Sequence, residues 1–171
     1  MSIAANAAAA LFIGLAACGA PLVGAGPTDR PAPIPVVAEL PGAAGVVRVR
    51  NHPGGYLPRI VHEVEALRST RQEVRIDGGY CFSACTVYLS LERACVAPYT
   101  QFGFHAPTDP ETGAPLTGRA FEAATTHVAR YYVPELAAWW IREGRYVQRG
   151  MALRTGAELI AMGYSACPAE D

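Results

Sequence analysis

The sequence carries almost no net charge. Its 171 residues sum to a formal charge of -1, with no run of like charges. That excludes a basic face for nucleic acid and a charged interaction tail. No internal repeat is visible, which excludes a solenoid or a propeller. No apolar run reaches the roughly 20 residues of a membrane-spanning helix. The nearest approach, Ile3 to Ala17, falls short of that length and has no lysine or arginine before it. Cysteines are few, and their spacing does not match the common zinc patterns. No metal and no cofactor are expected.

What is present begins with a segment foreign to a folded core. Ile3 to Ala17 is apolar, small and uncharged, and it reads as the h-region of a secretory signal. Its end, Leu15-Ala16-Ala17-Cys18-Gly19, resembles a bacterial lipobox, in which cleavage falls before the cysteine and that cysteine carries lipid. A plain signal peptide or an uncleaved anchor is the alternative. The chain is thus expected to divide into a signal segment (1–18), a Pro/Ala/Gly-rich linker (19–42) and one folded domain (43–171). Export follows, to the periplasm or to the membrane of the bacterial envelope through the signal or a lipid on Cys18. Without Cys18, four cysteines remain: Cys81, Cys85, Cys95 and Cys167. An even number in an exported chain predicts two disulfides, with three possible connectivities. Cys85–Cys95 with Cys81–Cys167 is the first choice. A zinc site using Cys81, Cys85 and His105 is the competing reading.

Strand and helix patterns alternate from Gly45 onward. Val46 to Arg50 partly alternates like a strand end, and Asn51-His52-Pro53-Gly54-Gly55 breaks it. Leu57, Ile60, Val61, Val64 and Leu67 recur at helical spacing. Glu73–Asp77, Ala94–Ala97 and Phe102–His105 read as short strands, and Ser83–Leu91 as a buried helix. Ala106–Thr117 is a loop. A helical region over Arg119–Gly144 should split at Pro134. Thr155 and Glu158 have the spacing of a capping box before a last short helix that Gly163 closes. The class is α/β with a largely parallel sheet.

Three segments could carry chemistry. In Asn51-His52-Pro53-Gly54-Gly55, the glycine pair leaves backbone N–H groups open to a developing oxyanion. In Gly79-Tyr80-Cys81-Phe82-Ser83-Ala84-Cys85, Ser83 stands at the positive end of an apolar helix. In Gly103-Phe104-His105-Ala106-Pro107, a strand-end histidine could take and return a hydroxyl proton. Taken singly, each has a plain structural explanation: a turn, an N-cap and a backbone-satisfied histidine. His52, His62 and His127 read as surface or helix-face residues, and Glu63 and Glu65 as a solvated helix face. Tyr131, Tyr132, Trp139 and Trp140 read as core or an oligomer contact, with a substrate groove as the alternative.

Together, in this order, the three segments resemble the Clp protease proteolytic subunit and, more broadly, exported members of the ClpP/crotonase-like superfamily. In that subunit Ser-Pro-Gly-Gly precedes a helix, an Ala-Ser-small segment carries the nucleophile, and Ile-His-Gln-Pro carries the base. Ala157-Glu158-Leu159 through Gly163 is similar to the last helix. The resemblance covers residues 45 to 165. It implies an α/β spiral of ββα units, with Ser83 as nucleophile and His105 as base. Gly54 and Ala84 N–H groups would form an oxyanion hole shaped by Gly55. It also implies a peptide or acyl substrate and a homo-oligomer.

Two departures stand out. The stretch expected to hold an orienting aspartate, Gly150-Met151-Ala152-Leu153, has none. Asp109, Glu111 and Glu143 are the substitutes, and the spacing does not choose among them. The chain also has less sheet before the Pro-Gly-Gly segment, so Ile34–Leu40 supplies a strand or the first unit is truncated. The function expected is a peptidase-like serine hydrolase with a Ser/His dyad. A non-catalytic envelope binding or assembly protein on the same fold is the alternative, and a crotonase-type acyl-thioester enzyme is a third reading.

Overall fold

A computed structural model of the protein describes residues 45–169. The signal segment, Cys18, the linker and Ile34–Leu40 lie outside the described residues. The elements run in order as β1 (Val47–Val49), α1 (Leu57–Ser69), β2 (Val74–Ile76), β3 (Tyr80–Phe82), a 3-10 helix (Ser83–Ser90), β4 (Ala94–Val96) and β5 (Gln101–Phe104). They continue as α2 (Gly118–Ala129), α3 (Pro134–Arg142), a short 3-10 turn (Gly144–Tyr146), β6 (Ala152–Thr155) and α4 (Gly156–Ala161).

The strands form two three-stranded sheets among the described residues. The first, ordered β1-β2-β4, is wholly parallel. In the second, ordered β3-β5-β6, β3 and β5 are parallel and β6 is antiparallel to β5. The expected parallel sheet is therefore two sheets, and neither β3 nor β6 was anticipated. Each is short, and neither shows the two-residue alternation that marks a strand in sequence.

The chain passes repeatedly from one sheet to the other. After β1, His52 forms a parallel bridge with Cys81 of β3. Its N–H donates to the Tyr80 carbonyl at 3.0 Å and its carbonyl accepts from Phe82 N–H at 2.9 Å. The order β1-β2-β4 in the first sheet thus recurs as His52-β3-β5 in the second. At the corner, Asn51 Oδ1 accepts from Gly79 N–H at 2.7 Å, and Thr100 Oγ1 donates to the Gly78 carbonyl at 2.7 Å. Asp77 is buried there, paired with Arg48 and with Arg50 (Nε to Oδ1, 2.8 Å), while Arg75 Nε lies 3.6 Å from its other oxygen. Burial opposes the charge on Asp77, but the three guanidiniums outweigh it and hold the carboxyl below the usual range.

The core lies between the sheets and helices. Ile60 and Val64 from α1, Ile76 from β2, Phe102 and Phe104 from β5, Leu136 from α3 and Leu159 from α4 are fully buried. Phe104 meets Tyr132 and Trp139 edge-on, with ring centroids 5.8 and 5.2 Å apart. Pro134 starts α3, so the helical region does split there. The capping box at Thr155 forms in both directions. No helix among the described residues is long and apolar enough to cross a membrane.

The disulfides correct the expected pairing. Cys81 joins Cys85, and Cys95 joins Cys167. The first pair closes across the junction of β3 and the 3-10 helix, where the turn brings two α-carbons to 5.4 Å. The second forms because the C-terminal tail runs beside β4. Val96 N–H donates to the Ser165 carbonyl at 2.9 Å, and Cys167 N–H returns to the Val96 carbonyl at 2.9 Å. With the Cys81 and Cys85 sulfurs bonded to each other, the zinc reading falls. Two disulfides point to an oxidising, non-cytoplasmic compartment.

Candidate active site

β3 and β5 end side by side, and each is followed by one of the two candidate side chains. Ser83 follows β3 directly, and His105 follows β5. His105 Nε2 lies 2.7 Å from Ser83 Oγ. The other ring nitrogen, Nδ1, lies 2.7 Å from the Ala106 carbonyl oxygen. A carbonyl only accepts, so Nδ1 carries the proton and Nε2 is the acceptor of the Ser83 hydroxyl. This is the tautomer a general base toward serine requires.

Ser83 does not act as an N-cap. The capping position is Phe82, which makes no side-chain cap, and Ser83 itself has φ +55°. A non-glycine residue in the left-handed region is costly by about 1–3 kcal/mol and persists only where its surroundings enforce it. Three surroundings do so here. The Cys81–Cys85 bond brackets the residue on both sides. Thr86 Oγ1 donates to the Ser83 carbonyl at 2.8 Å and is itself bonded to Tyr132 OH at 2.7 Å, both buried. Gly54 packs against the same turn: a Cβ there would stand 2.6 Å from the Phe82 oxygen and 2.7 Å from Ser83 Cβ.

The two glycines of the pair sit differently. Gly54 N–H is engaged, donating to His52 Nδ1 at 2.9 Å. Gly55 and Ala84 line the cleft beside Ser83 and His105, and Gly54 does not. Gly55 N–H has no hydrogen-bond partner among the described residues. Gly54 is therefore the close-packing residue, and Gly55 the one that lines the cleft. His52 is also corrected: it is 6% exposed, not a surface residue. His62 and His127 are exposed, as expected. Glu63 is half-buried, accepting from Tyr88 OH at 2.6 Å, whereas Glu65 is exposed.

None of the three carboxylates considered as a third member bonds to His105 among the described residues. Asp109 Oδ1 accepts from the Glu111 and Thr112 N–H groups at 3.0 and 2.8 Å and from the Thr112 hydroxyl, which holds its carboxyl below the usual range. Glu111 is exposed, and Glu143 accepts from Trp139 Nε1 at 3.0 Å. His105 Nδ1 meets the Ala106 carbonyl instead of a carboxylate. No sequence pattern could have shown this, because every residue has a carbonyl.

The cleft has a volume of about 650 Å³. Leu57, Val87, Phe104, Val128, Tyr132 and Trp140 give it an apolar body. Tyr132 and Trp140 are thus both core and cleft wall. One side is formed by the segment after His105. It folds back on itself: Thr108 pairs antiparallel with Pro115, and Asp109 N–H donates to the Ala114 carbonyl at 2.8 Å.

No family model and no curated protein matches the sequence. Solved structures do. A mutant of the 1510-N membrane-bound stomatin-specific protease, in complex with a substrate peptide, superposes with a TM-score of 0.52 at 19% identity. That match covers 70% of this chain and 58% of the other. A second mutant of the same protease gives 0.51 at 17%, covering 70% and 62%. The fold is ClpP-like. The chain spans about three-fifths of the length of these solved chains.

Proposed function

We propose that this ClpP-like domain is a serine hydrolase of peptidase type, working in the bacterial envelope. The observation that carries the reading is the Ser83–His105 contact, with the imidazole tautomer set by the Ala106 carbonyl. Ser83 Oγ attacks a carbonyl carbon as its proton passes to His105 Nε2. The oxyanion is held by the Gly55 and Ala84 N–H groups. His105 then gives the proton to the departing amine or alkoxide, and water releases the acyl group by the same route in reverse. An open apolar cleft and a fold-mate solved with a substrate peptide support a peptide substrate. The recurring strand order supports a spiral of ββα units. The paired disulfides support export of the 43–171 domain through the 1–18 signal and 19–42 linker, with Cys18 as the lipidated residue. We also propose a homo-oligomer.

A fluorophosphonate probe on the purified, oxidised protein tests the chemistry. Ser83 labels in the wild type, and Ser83→Ala removes the label completely. His105→Ala slows labelling by about a thousandfold. Absence of labelling in folded wild type would favour the binding-protein reading.

A further inference from the structure

The site contains a second histidine that the hydrolase chemistry leaves unused. His52 sits one strand over from Ser83, and it is tied to both halves of the site. Its backbone pairs with β3, the strand that leads into Ser83. Its Nδ1 accepts from Gly54 N–H two residues on, across Pro53. This is the geometry of an Asx-turn, with an imidazole in place of the carboxamide.

We propose that His52 is a positioning residue for the oxyanion turn: its neutral imidazole holds Gly54 in place and so aims Gly55 N–H into the cleft. This rests on the hydrolase reading of the site. The bond fixes the proton count. Gly54 donates, so Nδ1 bears a lone pair and the ring proton is on Nε2. A second proton would set N–H against N–H and break the bond.

The surroundings keep the ring neutral. His52 is 6% exposed, and Nε2 is buried without a hydrogen-bond partner among the described residues. Burial holds it below the ordinary histidine value; Glu63 on α1 works the other way and Arg59 on α1 works with burial. Glu63 is occupied by Tyr88 OH at 2.6 Å and by Arg59 at 3.7 Å. The Tyr88 ring stands edge-on to the imidazole, 6.0 Å between centroids. Cys81, opposite on β3, is disulfide-bonded and brings no charge. The local backbone is demanding, because Gly54 has φ +96° and Gly55 φ +131°. Glycine reaches these angles without strain but does not itself fix them, so the His52 bond is what defines the turn.

Two measurements test this. The first compares probe-labelling rates of His52→Asn and His52→Phe at neutral pH. Asn keeps an acceptor that can make the same turn, so its rate stays within about threefold of wild type. Phe fills the volume without the acceptor, and the rate falls at least about tenfold, on the scale of a weakened oxyanion donor. A Phe variant as fast as wild type overturns the proposal.

The second needs neither activity nor a His52 variant. In Ser83→Ala protein, imidazole and amide 15N spectra are followed from pH 8 downward. The neutral ring shows an unprotonated Nδ1, and the Gly54 and Gly55 amides shift together with the His52 titration. A protonated Nδ1, or glycine amides indifferent to His52, overturns the proposal. If the wild type does not label but these shifts are seen, the hydrolase reading fails, and with it the oxyanion role, while the His52–Gly54 bond that shapes the turn is upheld.

Discussion

The two sheets share a strand order but not a purpose. The first is wholly parallel and closes on an ion cluster around the buried Asp77. Its strands β1 and β2 alternate buried and half-buried residues in the regular way. Asn51 and Arg71, which flank its strands, have positive φ, but in the second sheet the deviations gather around one residue, Ser83. Ser83, following β3, has a left-handed backbone. Gly54 approaches the backbone around it too closely for any side chain. At Gly103, opposite Phe82, a Cβ would stand 2.6 Å from the Phe82 ring. Each sheet also has its own disulfide, one spanning 72 residues and one spanning four. The left-handed turn at Ser83 is enforced from several sides at once, which no single position of the first sheet requires.

That contrast can be broken or sharpened by substitution. The largest expected effect is on the first sheet. Cys95→Ser with Cys167→Ser opens a 72-residue loop and costs about 4 kcal/mol on the chain-entropy model. Chemical denaturation should read that loss while the probe-labelling rate of the folded protein stays unchanged. A matching fall in labelling would erase the division between the sheets.

Gly54→Ala comes next. The Cβ meets the Phe82 oxygen and Ser83 Cβ, and the φ of +96° is itself unfavourable for alanine. Labelling should fall about a hundredfold through misplacement of Ser83, with a lowered melting temperature. Unchanged kinetics would show that the close approach is not needed.

Cys81→Ser with Cys85→Ser opens a loop of four residues. The stability loss should be smaller, about 2 kcal/mol, but labelling should fall about tenfold because Ser83 loses its bracket. Here kinetics and stability part in the opposite sense from the Cys95–Cys167 pair. Equal labelling in the two double variants would remove the assignment.

The smallest effect is at Asp77. Its folded carboxyl titrates below the ordinary value of about 4, so its stabilisation is full above that value. It is lost as pH falls from about 4 toward the folded value. Asp77→Asn should lower the melting temperature at neutral pH and flatten the acid end of the profile. A wild-type profile already flat below pH 4 would contradict the ion cluster's role.

Much of this was legible in the residues. The apolar spacing of Leu57 to Leu67, the split at Pro134 and the Thr155–Glu158 cap follow from local pattern, whereas Ser83 and His105 were joined only by the resemblance to the Clp protease subunit. The chain has no lysine, which leaves histidine as the candidate partner for Ser83. What the pattern missed was non-local. β3 and β6 have three and four residues and exist through their partners. The cysteine pairing depends on the tail lying along β4, a contact no spacing encodes. His52 read as exposed because Asn51 and Pro53 beside it are turn residues.

The sequence alone determined the parts of the site: a serine at a helix start, a histidine at a strand end, and a glycine pair between strand and helix. Those are properties of residue type and short-range geometry. Tertiary structure decided how the parts are held. It bent Ser83 into a left-handed conformation, bonded the cysteines on either side of it and set the Ala106 carbonyl against His105 Nδ1. It also turned a buried histidine toward the Gly54 amide. These outcomes come from backbone groups and distant packing, to which residue identity contributes too little to be read in advance.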